Sequence, residues 1–233
     1  MNMSPSWIAT LYAASTWVLP VVIAVTFHEA AHGFVAHRFG DDTAWLAGRV
    51  TFNPLKHVDR FGTIVLPAML ILLRSPFLFG YAKPVPVNFA GLRNPRRDMV
   101  WVALAGPGMN VLLAIVSSLL FYGVDALPPG PAPWVAQNLV HSLQINAVLC
   151  VFNMLPLPPL DGGRVAVGIL PRPLALPLAR IEPYGMMILI GLLFLLPFIG
   201  SQLGLNLNIV GRIIAWPTQE LIRFVLWVTG QGA

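Results

Sequence analysis

The chain has 233 residues, 57% of them hydrophobic and only 10% charged, with a mean hydropathy of +0.75. A soluble domain carries about 25% charged residues, so this composition excludes one and leaves no room for a second large soluble unit. The formal net charge of +5 reads as basic cytoplasmic loops under the positive-inside rule, so no nucleic-acid partner is expected.

In chain order, residues 7–39 form a long apolar helix, or two helices joined at Pro20, with the single kinked helix the simpler reading. No charged n-region or small-residue cleavage site precedes it, so the segment is expected to stay. Gly40, Asp41 and Asp42 end it. Residues 40–60 are a polar connector with turns at Gly48 and Asn53-Pro54, and a possible short strand at residues 49–52. Residues 61–79 are apolar but broken by Pro67, Arg74 and Pro76. In residues 80–88, alternating Pro84, Val85, Pro86 and Val87 forbid a helix and favour extended backbone. At membrane depth such backbone is tolerated only against protein or a wet cavity.

Residues 98–124 and 134–155 read as membrane helices, the first carrying small residues at 105–108 that suit close helix packing. Cys150 lies in the second and, as the single cysteine, excludes an intrachain disulfide. Residues 181–199 and 209–229 are further apolar segments. The expected fold is an all-α polytopic membrane protein with about five or six membrane helices plus a re-entrant or extended segment near residues 61–92. It forms one membrane-embedded domain over 1–233, with a catalytic core at about 20–170 and additional C-terminal helices at 181–229.

Lys and Arg set the orientation. Arg38, Arg49, Lys56 and Arg60 follow the first helix; Arg93, Arg96 and Arg97 precede the helix at 98; Arg164, Arg172 and Arg180 follow the helix ending at 155. The loops 125–133 and 200–208 carry no Lys or Arg. The three basic groups are therefore expected in the cytoplasm, with the 61–92 region starting and ending on that side.

The chemistry centres on His28-Glu29-Ala30-Ala31-His32. On a helix the two histidines lie one turn apart on one face. Two imidazoles so placed can bind one Zn²⁺, and Glu29 can act on a water beside it. Ionisable groups at membrane depth are costly and usually mark function. Catalytic zinc needs a third protein ligand. Asp161 is the best candidate, because it follows a membrane helix on the same side as the end of the first. Asp59, His37, His57, His141 and Glu182 are weaker, each with a loop, cap or helix-contact role. Glu29 is the expected general base and Asn153 the candidate donor to the substrate carbonyl. Residues 80–88 can add to an unwound substrate strand, although Pro84 and Pro86 lack donors.

His28 to His32, Asn53-Pro54 with Asp59, residues 80–88, residues 105–110, and Asn153 through Asp161-Gly162 occur in this order in site-2 proteases, the zinc metalloproteases that cut within the membrane. Over about residues 20–170 the chain resembles their small prokaryotic members, without a PDZ or CBS module. The resemblance implies one zinc held by His28, His32 and Asp161, Glu29 as base, Asn153 near the carbonyl, and residues 80–88 near substrate. It implies a transmembrane or membrane-associated protein substrate in a lipid bilayer, and a multi-pass protein of the cell (inner) membrane with its active site towards the cytoplasm. The sequence leaves oligomeric state open. Residues 108–110 are assigned packing only. Two other readings stand beside this one: a membrane zinc peptidase of the prenyl-protein protease type, and a non-catalytic zinc-binding scaffold or transporter.

Overall fold

A computed structural model describes residues 7–72 and 80–232. Arg74 and Pro76 lie outside the described residues. Helix α1 (Trp7–Arg38) is a single 32-residue helix that carries Pro20 in its interior, so the one-helix reading holds. Its length, about 48 Å at 1.5 Å per residue, exceeds the hydrocarbon thickness, so its last turns and the HExxH need not lie at the bilayer centre.

The connector folds back onto that end. It contains a four-residue helix, α2 (Thr43–Leu46), and a short 3₁₀ turn at Pro54–Lys56. Residues 49–52 are not a strand but bends, and no strand occurs among the described residues. Their backbone has no partner strand; instead Asn53 caps the next turn through Leu55 N–H. Asp59 is likewise a cap, accepting from Phe61 N–H and Gly62 N–H at the start of a π-type turn, Arg60–Val65. That turn leads into α3 (Leu66–Leu72).

The chain then returns to where it left. Tyr81 N–H donates to Gly62 O over 3.1 Å, and Thr63 Oγ1 donates to Tyr81 O over 2.9 Å. The chain at residues 62–63 thus lies beside residue 81. Residues 80–88 are extended, as Pro84 and Pro86 require.

Helix α4 (Pro95–Phe121) opens with Pro95 in its first turn, and Asp98 accepts from Asn94 N–H. Helix α5 (Ala132–Asn153) follows a Pro-rich loop. Helices α1, α4 and α5 pack on one another, with Ala24, Val102, Ala114 and Ala147 buried between them. Small residues let the three backbones approach, the main source of attraction when lipid is as apolar as the side chains. After α5, a loop with a cis Pro158–Pro159 peptide leads to α6 (Asp161–Ile169), which packs on α4.

Helix α7 (Arg172–Arg180) precedes α8 (Glu182–Ile190), which runs through a π-type turn at Gly191–Leu195 into α9 (Leu196–Gln202). The last helix, α10 (Ile209–Val228), packs on α5 and α4. Four spans among the described residues are long and apolar enough to cross a membrane: α1, α4, α5 and the continuous Glu182–Gln202. α10 has the length as well but carries Arg212, Glu220 and Arg223, and α3 is described only as far as Leu72.

Candidate metal centre and active site

His28 and His32 are buried on the α1 face that meets α4. α4 is adapted to receive them. A Cβ on Gly106 would lie 2.6 Å from His28 Nε2, so only glycine lets the two helices close at this point. One turn away on either side, at 102 and 110, α4 holds the far side of each ring. His32 Nδ1 donates to Val102 O over 2.7 Å, and His28 Nδ1 donates to Asn110 Oδ1 over 2.6 Å. A backbone carbonyl only accepts, so the His32 proton sits on Nδ1 and Nε2 keeps its lone pair.

Asp161 arrives from a third element. It is the first residue of α6, and a Cβ on the next residue, Gly162, would lie 2.2 Å from Met154 O. The loop from α5 therefore doubles back tightly over the start of α6 and turns Asp161 towards α1. Its Oδ2 stands 3.2 Å from His28 Nε2 and 3.4 Å from His32 Nε2, while the two Nε2 atoms are 3.1 Å apart. Oδ2 is buried with no hydrogen-bond partner.

Three potential donor atoms converging in this way can hold a metal cation between them. Zinc with donors at about 2.0–2.1 Å in tetrahedral directions separates them by about 3.3–3.4 Å, which is close to the triangle seen here. The His28, His32 and Asp161 atoms are the one such group among the described residues, and all three residues are buried. The donor set of two nitrogens and one carboxylate oxygen is that of a catalytic rather than a closed structural zinc site.

A cavity of about 660 Å³ opens beside this triangle. Glu29, Asn153 and the extended residues 80–87 except Lys83 line it together with the three donors. Glu29 Oε2 accepts from Val85 N–H over 2.7 Å, a contact that does not engage Oε1. Asn153 donates one Nδ2 hydrogen to Leu149 O in its own helix over 3.0 Å and keeps the second.

The extended segment is clamped along one edge. Tyr81, Lys83 and Val85 donate to Gly62 O, His57 O and Glu29, and buried Arg49 donates to Lys83 O over 2.6 Å and reaches Pro84 O at 3.4 Å. The N–H groups of Tyr81, Lys83 and Val85 are therefore already engaged by the protein. Alternation leaves the opposite edge with the N–H of Ala82 and the carbonyls of Ala82 and Pro86, Pro84 O being shared with Arg49.

The weaker ligand candidates go elsewhere. His37 pairs with Asp42 and stacks on Trp45, His57 Nε2 meets Thr51 O, and His141 meets Thr16 O while stacking on Trp17. Glu182 reaches Arg164. Sequence reasoning read Gly106 as a close-packing residue but missed that it faces the two rings, and missed the contacts of Val102 and Asn110 with them. Their i, i+4, i+8 spacing on one helical face was the available signal, but nothing in sequence says that this face meets His28 and His32.

The profile of peptidase family M50 matches residues 16–144. The chain is 37% identical over 205 residues to YwhC of Bacillus subtilis (strain 168), a protein whose name describes a zinc metalloprotease, and this covers 86% of the chain and 84% of YwhC. It is 32% identical over 144 residues to Rip2 of Mycolicibacterium smegmatis, whose name carries the same description, covering 60% of the chain and 52% of Rip2. MJ0611 of Methanocaldococcus jannaschii, again so described, is 32% identical over 143 residues, 60% of the chain and 62% of its own length. The chain thus spans most of YwhC but little more than half of the other two relatives. No solved structure matches it. The buried zinc-spaced donors, the helices able to cross a membrane and these likenesses agree: the chain belongs to peptidase family M50, the site-2 proteases, and is a membrane zinc metalloendopeptidase.

Proposed function

We propose that the protein cleaves transmembrane or membrane-associated protein substrates within the bilayer, at a zinc held by His28, His32 and Asp161. The observation that carries this reading is the triangle of three buried ligand atoms opening onto a cavity that also holds Glu29. Zinc, when bound, supplies Lewis acidity, lowering the pKa of a water to about 7 and polarising a peptide carbonyl. Glu29 uses its other carboxylate oxygen to take a proton from the attacking water and later hands it to the leaving amine. Asn153 donates its second N–H to the carbonyl oxygen of the scissile bond.

A substrate helix must unwind first, because its carbonyls are hydrogen-bonded and shielded. The open edge of residues 80–88 offers mostly acceptors, so it suits a substrate strand that donates its own N–H groups. Residues 20–170 form the catalytic core of one membrane-embedded unit, and the helices at 181–229 are additional. The basic groups near the Arg38 end of α1, the Pro95 end of α4 and the start of α6 support a multi-pass arrangement in the cell membrane with the site towards the cytoplasm.

Glu29→Gln tests the reading. The variant retains zinc and loses cleavage, read by comparing membrane proteomes of cells carrying wild type and variant. Wild-type processing by Glu29→Gln would remove Glu29 as base, and undiminished zinc in Asp161→Ala would remove Asp161 as ligand.

A further inference from the structure

We infer that Asn110 and Asn146 form a directional relay that sets the tautomer of His28, a positioning function for two residues that touch neither substrate nor metal; this rests on the ligand reading above. His32 has its proton position fixed by a backbone carbonyl, Val102 O. His28 has no such anchor. Its Nδ1 meets a side-chain amide, Asn110, which can present either an oxygen or an NH₂ group.

The direction is imposed from α5. Ser142 O, a backbone carbonyl, can only accept, and it takes Asn146 Nδ2 over 2.8 Å. That turns Asn146 Oδ1 outward, where it takes Asn110 Nδ2 over 2.8 Å. Asn110 Oδ1 is then the atom left for His28, so Nδ1 carries the proton and Nε2 keeps its lone pair for the metal. Both amides are wholly buried, so water cannot substitute for a missing partner. The four groups run from α5 through α4 to α1, and each link has a single allowed sense. With the relay reversed, Asn110 would offer NH₂ to Nδ1, the proton would move to Nε2, and that nitrogen could not bind zinc.

The test measures zinc affinity of the purified full chain in detergent, by competition with a chelator. Asn146→Leu leaves the Asn110 amide oriented only by the long 3.5 Å contact of its Nδ2 with Ala24 O, and weakens zinc by about 10- to 100-fold, the range of outer-shell changes. Asn110→Asp added to Asn146→Leu restores wild-type affinity, because a carboxylate presents only acceptors and needs no orienting partner. A purely structural defect from Asn146→Leu would not respond to that second change. Asn110→Leu, which leaves Nδ1 no acceptor, binds zinc poorly. Wild-type affinity in Asn146→Leu overturns the relay, as does a double variant no better than the single one. If Asn146→Leu does not fold, wild-type zinc affinity in Asn110→Leu overturns it equally. Zinc-free wild type, or His28→Ala with full zinc, is a distinct outcome: it rejects the ligand reading itself, and the relay with it.

Discussion

Val85 donates its backbone N–H to Glu29 Oε2 over 2.7 Å, tying the proposed base to the extended segment that faces it across the cavity. The contact orients one carboxylate oxygen and does not engage the other. It also makes the position of residues 80–88 and the geometry of the base a single structural variable.

Val85→Pro removes that donor while suiting the extended backbone already present. Hydrogen bonds to charged groups contribute about 1.5–3 kcal/mol, so turnover falls by about 10- to 100-fold with zinc content unchanged. Val85→Ala, which keeps the N–H, retains most of the activity. Equal losses in both variants, measured on a cleavable membrane substrate, would show that the side chain rather than the N–H matters.

Gly106→Ala and Gly108→Ala separate close approach from general helix effects. A methyl at 106 meets both ligand imidazoles, whereas one at 108 meets nothing within 4 Å. Gly106→Ala loses bound zinc and lowers the melting temperature; Gly108→Ala leaves both unchanged or slightly improves stability, since alanine favours helix by about 1 kcal/mol over glycine. Metal analysis and thermal unfolding of the two variants decide it.

Asp161→Asn keeps the side-chain volume and removes the charge. Its Oδ2 is a buried atom without a hydrogen-bond partner, so the contribution is to the cation rather than to packing. Zinc affinity drops further than the about 10- to 100-fold of an outer-shell change, while the helical circular dichroism stays at wild-type level. Zinc bound as tightly as in wild type would mean that the third donor lies elsewhere.

Arg49→Met tests the clamp on the extended segment. The buried guanidinium serves Lys83 O and Pro84 O, and the variant leaves these carbonyls unsatisfied. A loss of about 1–3 kcal/mol of stability is expected, with reduced cleavage and full zinc content. Limited proteolysis near residue 83 reads out the release of the segment; unchanged protection would indicate that Lys83 N–H to His57 O and Val85 N–H to Glu29 hold it without Arg49.

Much of the architecture was legible in the chain because its signals are local. Long charge-poor runs mark α1, α4 and α5, Pro84 and Pro86 forbid a helix, and HExxH places two rings one turn apart whatever surrounds them. One expectation needed correction for a reason outside local sequence. Residues 49–52 have strand-like composition but no strand beside them, so they bend. In residues 80–88 local sequence favours extended backbone, but which N–H groups are engaged is set by Gly62, His57 and Glu29, contacts between positions 19 to 56 residues apart.

The amino-acid order by itself determined that this is a helical membrane protein with a pair of imidazoles and a carboxylate on one helical turn, because hydropathy and helical periodicity act over a few residues. Asp161 was already the candidate third donor in the sequence, but only tertiary structure brings it to the two rings. Asp161 reaches the rings only because the 154–160 loop folds back over the start of α6, and Asn110 and Val102 govern the ring protons only because α4 crosses α1 at Gly106. Those are consequences of how three helices pack, and packing depends on contacts between residues that are distant in the chain.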